Sequence, residues 1–195
     1  MIKSSLIYYN RSYGQGKKKR NRQTTNWTMS NRSATDTIKG YFYQFDYSIA
    51  EILNLPKDSD EIVVEGIEDI DINSSTDETA IQCKYYAKTE YNHSVISKPI
   101  RFMLDHFKSV KNGTTPKIKY QLYGHYKSGQ SKLTLPISVN FLKENFLTHK
   151  ISKVKHEHHK KLGLSDTDLQ EFINSLTIDI NAKEYQLQFT DISSS

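Results

Sequence analysis

Three short runs rich in Ile and Val follow one another between residues 61 and 85, and this order limits the folds open to the chain. Glu61–Gly66, Glu68–Ile72 and Thr79–Tyr85 read as strands, with Asn73-Ser-Ser-Thr-Asp77 as the turn between the second and third. On either side the period becomes helical. Upstream, Ile38, Tyr41, Phe42, Phe45, Ile49, Ile52 and Leu53 recur at helical spacing behind Ser33-Ala-Thr-Asp36, whose serine can accept an orphan amide hydrogen bond. A helix is expected over about 34–54, stopped by Pro56. Downstream, Ile100, Met103, Leu104 and Phe107 share one face of a helix over about 95–110, and alternating Ile118, Tyr120 and Leu122 make Lys117–Tyr123 a fourth strand. Helix, three strands, helix, strand implies an α/β fold with a central mixed sheet flanked by helices.

The remainder reads as a helical C-terminal part. Gly124–Gln130 is expected to be a loop. Helices are expected over about 139–148, 150–161 and 166–176, the last behind a second capping box, Ser165-Asp-Thr-Asp168, and Glu184–Phe189 reads as a last strand. Residues 1–31 show no sustained period and are rich in Asn, Ser, Arg and Lys, so they read as a flexible arm ahead of a single domain over 32–195.

Charge separates the same two parts. Residues 1–40 hold nine basic groups and one acid, Asp36, a net +8; the whole chain carries +5, so residues 41–195 carry −3. A basic arm on a slightly acidic body fits contact with a polyanion through Lys17, Lys18, Lys19 and Arg20, against the plain alternative of a solvated tail. No apolar run approaches the roughly 18 residues needed to cross a membrane, and no apolar stretch follows the basic segment as a secretory signal would require. The one cysteine, Cys83, has no internal partner, which points to a reducing cytoplasm.

The chemistry-bearing stretch is Ile62-Val-Val-Glu65-Gly-Ile-Glu68-Asp69-Ile-Asp71-Ile, followed after the turn by Ala80-Ile-Gln82-Cys83-Lys84-Tyr85. Strand side chains alternate, so Asp69 and Asp71 share a face, as do Gln82 and Lys84. Paired as a hairpin, the two strands would gather two carboxylates, an amide oxygen and an ammonium at one sheet edge. Mg²⁺ accepts such hard oxygen ligands. A metal so held can activate water and neutralise charge on an attacked phosphodiester, and Lys84 could orient the water or stabilise developing charge. Asp-x-Asp alone is equally a solvated turn. Gln-x-Lys inside an otherwise apolar strand argues for the site, because an amide and an ammonium are costly to bury without partners.

These residues resemble a known family. Asp69, a thirteen-residue step, then Gln82-Cys83-Lys84 resembles the Asp…Gln-x-Lys variant of the PD-(D/E)XK nucleases carried by Mrr-type restriction endonucleases. Gly40-Tyr-Phe-Tyr-Gln44-Phe resembles the family's Gly-aromatic-aromatic-Glu/Gln opening. The closer likeness is to the double-stranded DNA endonuclease effector domain of bacterial antiphage proteins, found beside cyclic-oligonucleotide sensors and in NTPase-linked defence proteins. It covers residues 33–125 and only weakly the helical extension over about 137–176.

The resemblance implies a restriction-endonuclease-like core and a metal-dependent endonuclease that uses Mg²⁺ or Mn²⁺ on double-stranded DNA. Asp69 would be the principal metal ligand, Gln82 would replace the usual second acid, the Cys83 main-chain carbonyl would complete the site, and Lys84 would be the catalytic lysine. With one acid fewer, a helper carboxylate is expected, Asp71 or Glu65 first and Glu51 third; whether Asp69 or Asp71 is the principal ligand stays open. The resemblance also implies a homo-oligomer, since two active sites cut two strands, and a sensor or NTPase domain or subunit beyond the chain end. Two alternatives stand beside defence: a nuclease of the same fold in repair or recombination, and a non-catalytic nucleic-acid-binding module.

Other segments offer less. His156-Glu-His158-His159 with Lys160 and Lys161 reads as a solvated basic helix or a nucleic-acid contact. Zinc is not expected there, because His-x-His spacing splits the imidazoles between helix faces. His93 and His125 read as loop histidines near the active edge. Tyr85, Tyr86 and Tyr91, interleaved with Lys88, could pack along a nucleic-acid backbone or simply lie half-buried on the sheet flank.

Overall fold

The computed structural model describes residues 30–74 and 77–194. Helix α1 spans Ser30–Leu53 and is followed by β1 (Glu61–Val64), β2 (Ile70–Asn73) and β3 (Glu78–Glu90). Helix α2 (His93–Lys111) then crosses to β4 (Lys119–Ser128). β1, β2 and β3 pair antiparallel, whereas β4 runs parallel to β3, as a helical crossover requires. A fifth strand, β7 (Leu176–Asp179), pairs parallel with β4, giving the order β1-β2-β3-β4-β7. The chain is α/β with a mixed central sheet flanked by helices.

The two faces of that sheet are covered differently. On one, Ile96, Ile100, Met103, Leu104 and Phe107 of α2 pack on Ala80, Tyr120, Leu122 and Tyr126. Leu169 and Phe172 of α5 (Asp166–Ser175) extend this core, as do Leu142, Phe146 and Leu147. On the other face, Tyr47 of α1 closes over Ile70, Ile81 and Cys83, with Tyr123 packed against them. Helix α6 (Tyr185–Ser194) joins α1 there: the Tyr43 hydroxyl donates to the Lys183 carbonyl at 2.9 Å, and Gln188 Nε2 donates to the Tyr43 carbonyl at 2.8 Å.

Several expectations change. α1 begins before Ser33, which therefore lies inside the helix rather than capping it. Its apolar stripe has the expected spacing, but the stripe points outward, while Tyr43, Gln44, Tyr47 and Ser48 face the sheet. The expected loop 124–130 is strand as far as Ser128. Gly124 sits opposite Lys84, where a Cβ would come 2.7 Å from the Tyr126 ring, so this glycine serves close packing in a strand.

The helix expected over 150–161 is a hairpin, β5 (Thr148–Ile151) against β6 (Val154–Glu157), followed by the single turn α4 (His158–Lys161). Ser152 and Lys153 both take left-handed φ, 48° and 69°, as a two-residue hairpin turn demands. Of the helix expected over 139–148, Val139–Leu142 is α-helical (α3) and Lys143–Leu147 is a wider π-turn. The extension over 137–176 is therefore mixed rather than mainly helical. Residues 184–189 belong to α6 rather than to a strand, because β7 fills the place beside β4. The Ser165–Asp168 capping box forms as expected.

Candidate functional site

The site is built where the β1–β2 turn meets β3. Glu65 opens the turn in the left-handed region at φ 61°, and its N–H donates to the Asp69 carbonyl at 2.9 Å. Asp71 braces the turn from beneath, its Oδ2 accepting from Ile67 N at 2.5 Å and its Oδ1 from Glu68 N at 3.2 Å. A glycine is required at position 66, since a Cβ there would lie 2.1 Å from Asp71 Oδ2. Asp71 is 4 % exposed, and both its oxygens are committed to backbone. The structure thus turns the expected helper carboxylate Asp71 away from the group it was expected to join, because the tight turn needs its amides satisfied.

Asp69 leaves the turn on the other side. Strand register sets Ile70 opposite Ile81, which would put Asp69 across from Gln82. Instead of continuing the ladder, the Asp69 side chain takes over: its Oδ2 accepts the Cys83 N–H at 2.9 Å and also the Gln82 side-chain amide. Both bonds fall on Oδ2, which leaves Oδ1 for a ligand. Gln82 is buried, and this bond supplies the partner that its burial demands. From α1, Gln44 Nε2 donates to the Asp69 carbonyl at 3.0 Å and to Glu65 Oε1 at 3.3 Å, tying the helix to the turn.

These elements border an open cleft of about 500 Å³ lined by Glu65, Asp69, Cys83, Lys84, Tyr85 and Tyr86 and, from α1, by Gly40, Tyr41 and Gln44 among others. Of the expected residues, the structure brings Asp69, Gln82, Cys83, Lys84 and Glu65 together. Glu51 stands instead beside the Tyr47 hydroxyl. Lys88 is ion-paired with Asp36 at 2.8 Å and is well exposed. Lys160 pairs with Glu157 at 2.7 Å, and α4, which carries Lys160 and Lys161, contributes nothing to the cleft lining. Lys17, Lys18, Lys19 and Arg20 lie outside the described residues. His125 turns its Nδ1 to the Ala182 carbonyl at 2.9 Å and stacks on Tyr85 of the cleft wall, ring centroids 5.4 Å apart.

Two groups at the site had no role assigned to them by the sequence reading. Gln44 was legible only as part of a motif, although it is a polar residue between two inward tyrosines. Glu68 was passed over beside Asp69. Burial, and then repulsion from Asp69, push its carboxyl up to about 7, with Lys84 drawing it back down. Burial also raises Asp69 against the opposing pull of Lys84 and the bonds from Cys83 and Gln82. Cys83 is a packed core residue whose thiol burial pushes up, so it has no nucleophile's character.

Among the described residues, no three His, Cys, Asp or Glu side chains are grouped closely enough to hold a metal ion by themselves. The set at this site is of another kind, one carboxylate strongly held by a side-chain amide and a main-chain N–H, and a second carboxylate, Glu68, coupled to it electrostatically. Hard oxygens whose negative charge is resisted by burial suit a hard divalent cation. Among the described residues, no helix is long and apolar enough to cross a membrane. Comparison of the chain with protein-family models, curated proteins and solved structures finds no match.

Proposed function

We propose that this chain is a metal-dependent endonuclease that hydrolyses DNA phosphodiester bonds as the effector of an antiphage system. The observation that carries the reading is the junction of Asp69 with Gln82 and the Cys83 amide, two residues before Lys84 in the same cleft. A helix, three antiparallel strands, a crossover helix and a parallel strand surround it, which is the element order expected of a restriction-endonuclease-like core.

In this reading Asp69 and Glu68 would hold Mg²⁺ or Mn²⁺ with the Cys83 carbonyl, and the Gln82 amide oxygen would complete the set. The cation would supply water activation and charge neutralisation. The chain's own residues do the rest. Asp71 and Gly66 fix the turn, Gln44 locks Asp69 and Glu65 to α1, and Gln82 orients the Asp69 carboxylate. Lys84 orients the attacking water or offsets the charge that grows on the bound scissile phosphate.

The test pairs plasmid cleavage with gel-shift affinity. The wild-type protein cuts DNA with Mg²⁺ or Mn²⁺ and stops in EDTA. Lys84→Ala and Asp69→Ala lose cutting by about 100-fold or more while binding DNA nearly as well as wild type. Cutting by both variants at the wild-type rate would overturn the assignment. A wild type that binds but never cuts, with affinity lost in Lys84→Ala, would make the chain a binding module instead.

A further inference from the structure

The outward face of α1 leaves seven large apolar side chains uncovered. Ile38, Tyr41, Phe42, Phe45, Ile49, Ile52 and Leu53 are each 44–56 % exposed, while the helix turns Tyr43, Gln44, Tyr47 and Ser48 toward the sheet. At about 200 Å² for each large side chain, half of that over seven residues is on the order of 700 Å². A monomer's largest apolar patch is ordinarily about 300–600 Å², and a specific interface buries about 800 Å² per partner. The patch therefore matches one side of a stable pair.

The spacing within the patch is more specific than its area. Ile38, Phe42, Phe45, Ile49 and Ile52 advance by alternating steps of four and three, the seam of a two-helix coiled coil. Lys39 and Asp46 follow Ile38 and Phe45 and so hold the same flanking position in successive heptads. Neither Lys39 nor Asp46 makes an ion pair among the described residues. In an antiparallel pair of identical helices this flank meets itself, so each Lys39 faces the other copy's Asp46. In a parallel pair it meets Tyr41 and Ser48 and no charges pair.

We infer that α1 is a self-association surface, and that its occupant is the α1 of a second copy of this chain running antiparallel. The inference does not depend on the nuclease reading, although Tyr41 borders both the seam and the cleft and so sets the second copy beside the site.

Sedimentation equilibrium on the full chain tests it. The wild type is a dimer at concentrations up to about 100 µM, where even micromolar association is nearly complete. Phe42→Glu with Phe45→Glu raises the dissociation constant by about 100-fold or more, and an unchanged far-UV spectrum shows that these exposed positions leave the fold intact. Lys39→Glu weakens the dimer about tenfold, and adding Asp46→Lys restores it, because the reciprocal charges are exchanged. A monomeric wild type would leave the stripe to some other occupant and overturn the proposal. A dimer indifferent to Phe42→Glu and Phe45→Glu would overturn the surface. Failure of the double charge exchange to recover what Lys39→Glu loses would overturn the antiparallel arrangement.

Discussion

Replacing Glu68 by Gln changes one charge and almost no volume, so it isolates the electrostatic state of the site. Burial and the neighbouring Asp69 raise the Glu68 carboxyl from 4.5 to about 7. The folded chain thus holds this proton more tightly than the unfolded chain. Its contribution to stability is fully present below pH 4.5 and is lost as the pH climbs through about 7. The shift corresponds to about 3 kcal/mol, and partial solvation of the side chain brings the part lost between about pH 5 and about pH 8 to roughly 2 kcal/mol.

Burial lowers His93, His106, His149 and His159, which gives the opposite slope over the same range, because the unfolded chain gains protons first. That background is common to both proteins and cancels in their difference. Urea unfolding at the two pH values should therefore show Glu68→Gln gaining roughly 2 kcal/mol on wild type as the pH rises. Millimolar Mg²⁺ near the upper pH should narrow the gap by stabilising wild type alone. Parallel stability curves for the two proteins, with or without Mg²⁺, would refute the account of Glu68 as a strained acid within reach of a cation.

Gly66→Ala drives a methyl group into Asp71 Oδ2 and should cost about 2–3 kcal/mol, one charge-assisted hydrogen bond, read as a lower thermal midpoint together with reduced cutting as Asp69 shifts. Lys88→Ala removes only an exposed pair with Asp36 and should keep full cleavage activity. Deleting residues 1–29 removes Lys17, Lys18, Lys19 and Arg20; DNA affinity should fall alike for all sequences, and its salt slope should flatten by roughly three to four if all four touch phosphate.

What the sequence disclosed follows from how local each determinant is. β1, β2 and α2 are within a few residues of expectation because period and β-branching are properties of the segment itself, and the Ser165–Asp168 box is complete within four residues. The junction of Asp69 with Gln82 was legible because a single hairpin brings the two together. The turn at Ser152-Lys153 was not, since neither residue announces a left-handed backbone as Asn or Gly would. Alternating Tyr185, Leu187 and Phe189 imitates a strand, whereas β7 takes the place beside β4 and the segment forms a helix that docks on α1 through Gln188 and Tyr43. The hydrogen bonds of Asp71 were hidden for a related reason. Strand alternation sets it beside Asp69, but the unsatisfied amides of Ile67 and Glu68 claim it first. The period of α1 identified a helix without identifying which of its faces the sheet would cover.

The unequal covering of the sheet has a dynamic consequence. α2 is anchored by aliphatic and aromatic side chains that are almost wholly buried, whereas α1 rests on two tyrosines, a glutamine and a serine over Ile70, Ile81 and Cys83. Amide protons of α1 should therefore exchange with solvent through a partial opening, at lower free energy than those of α2 and β3, which wait for global unfolding. Gln44 travels with α1, so each such opening takes one of the two hydrogen bonds from the Asp69 carbonyl and dismantles one wall of the cleft while the rest of the molecule stays folded. On warming, activity should accordingly disappear before the main unfolding transition. Anything that settles on the outer face of α1 would delay that loss, coupling the competence of the cleft to the occupancy of a surface on the far side of the same helix.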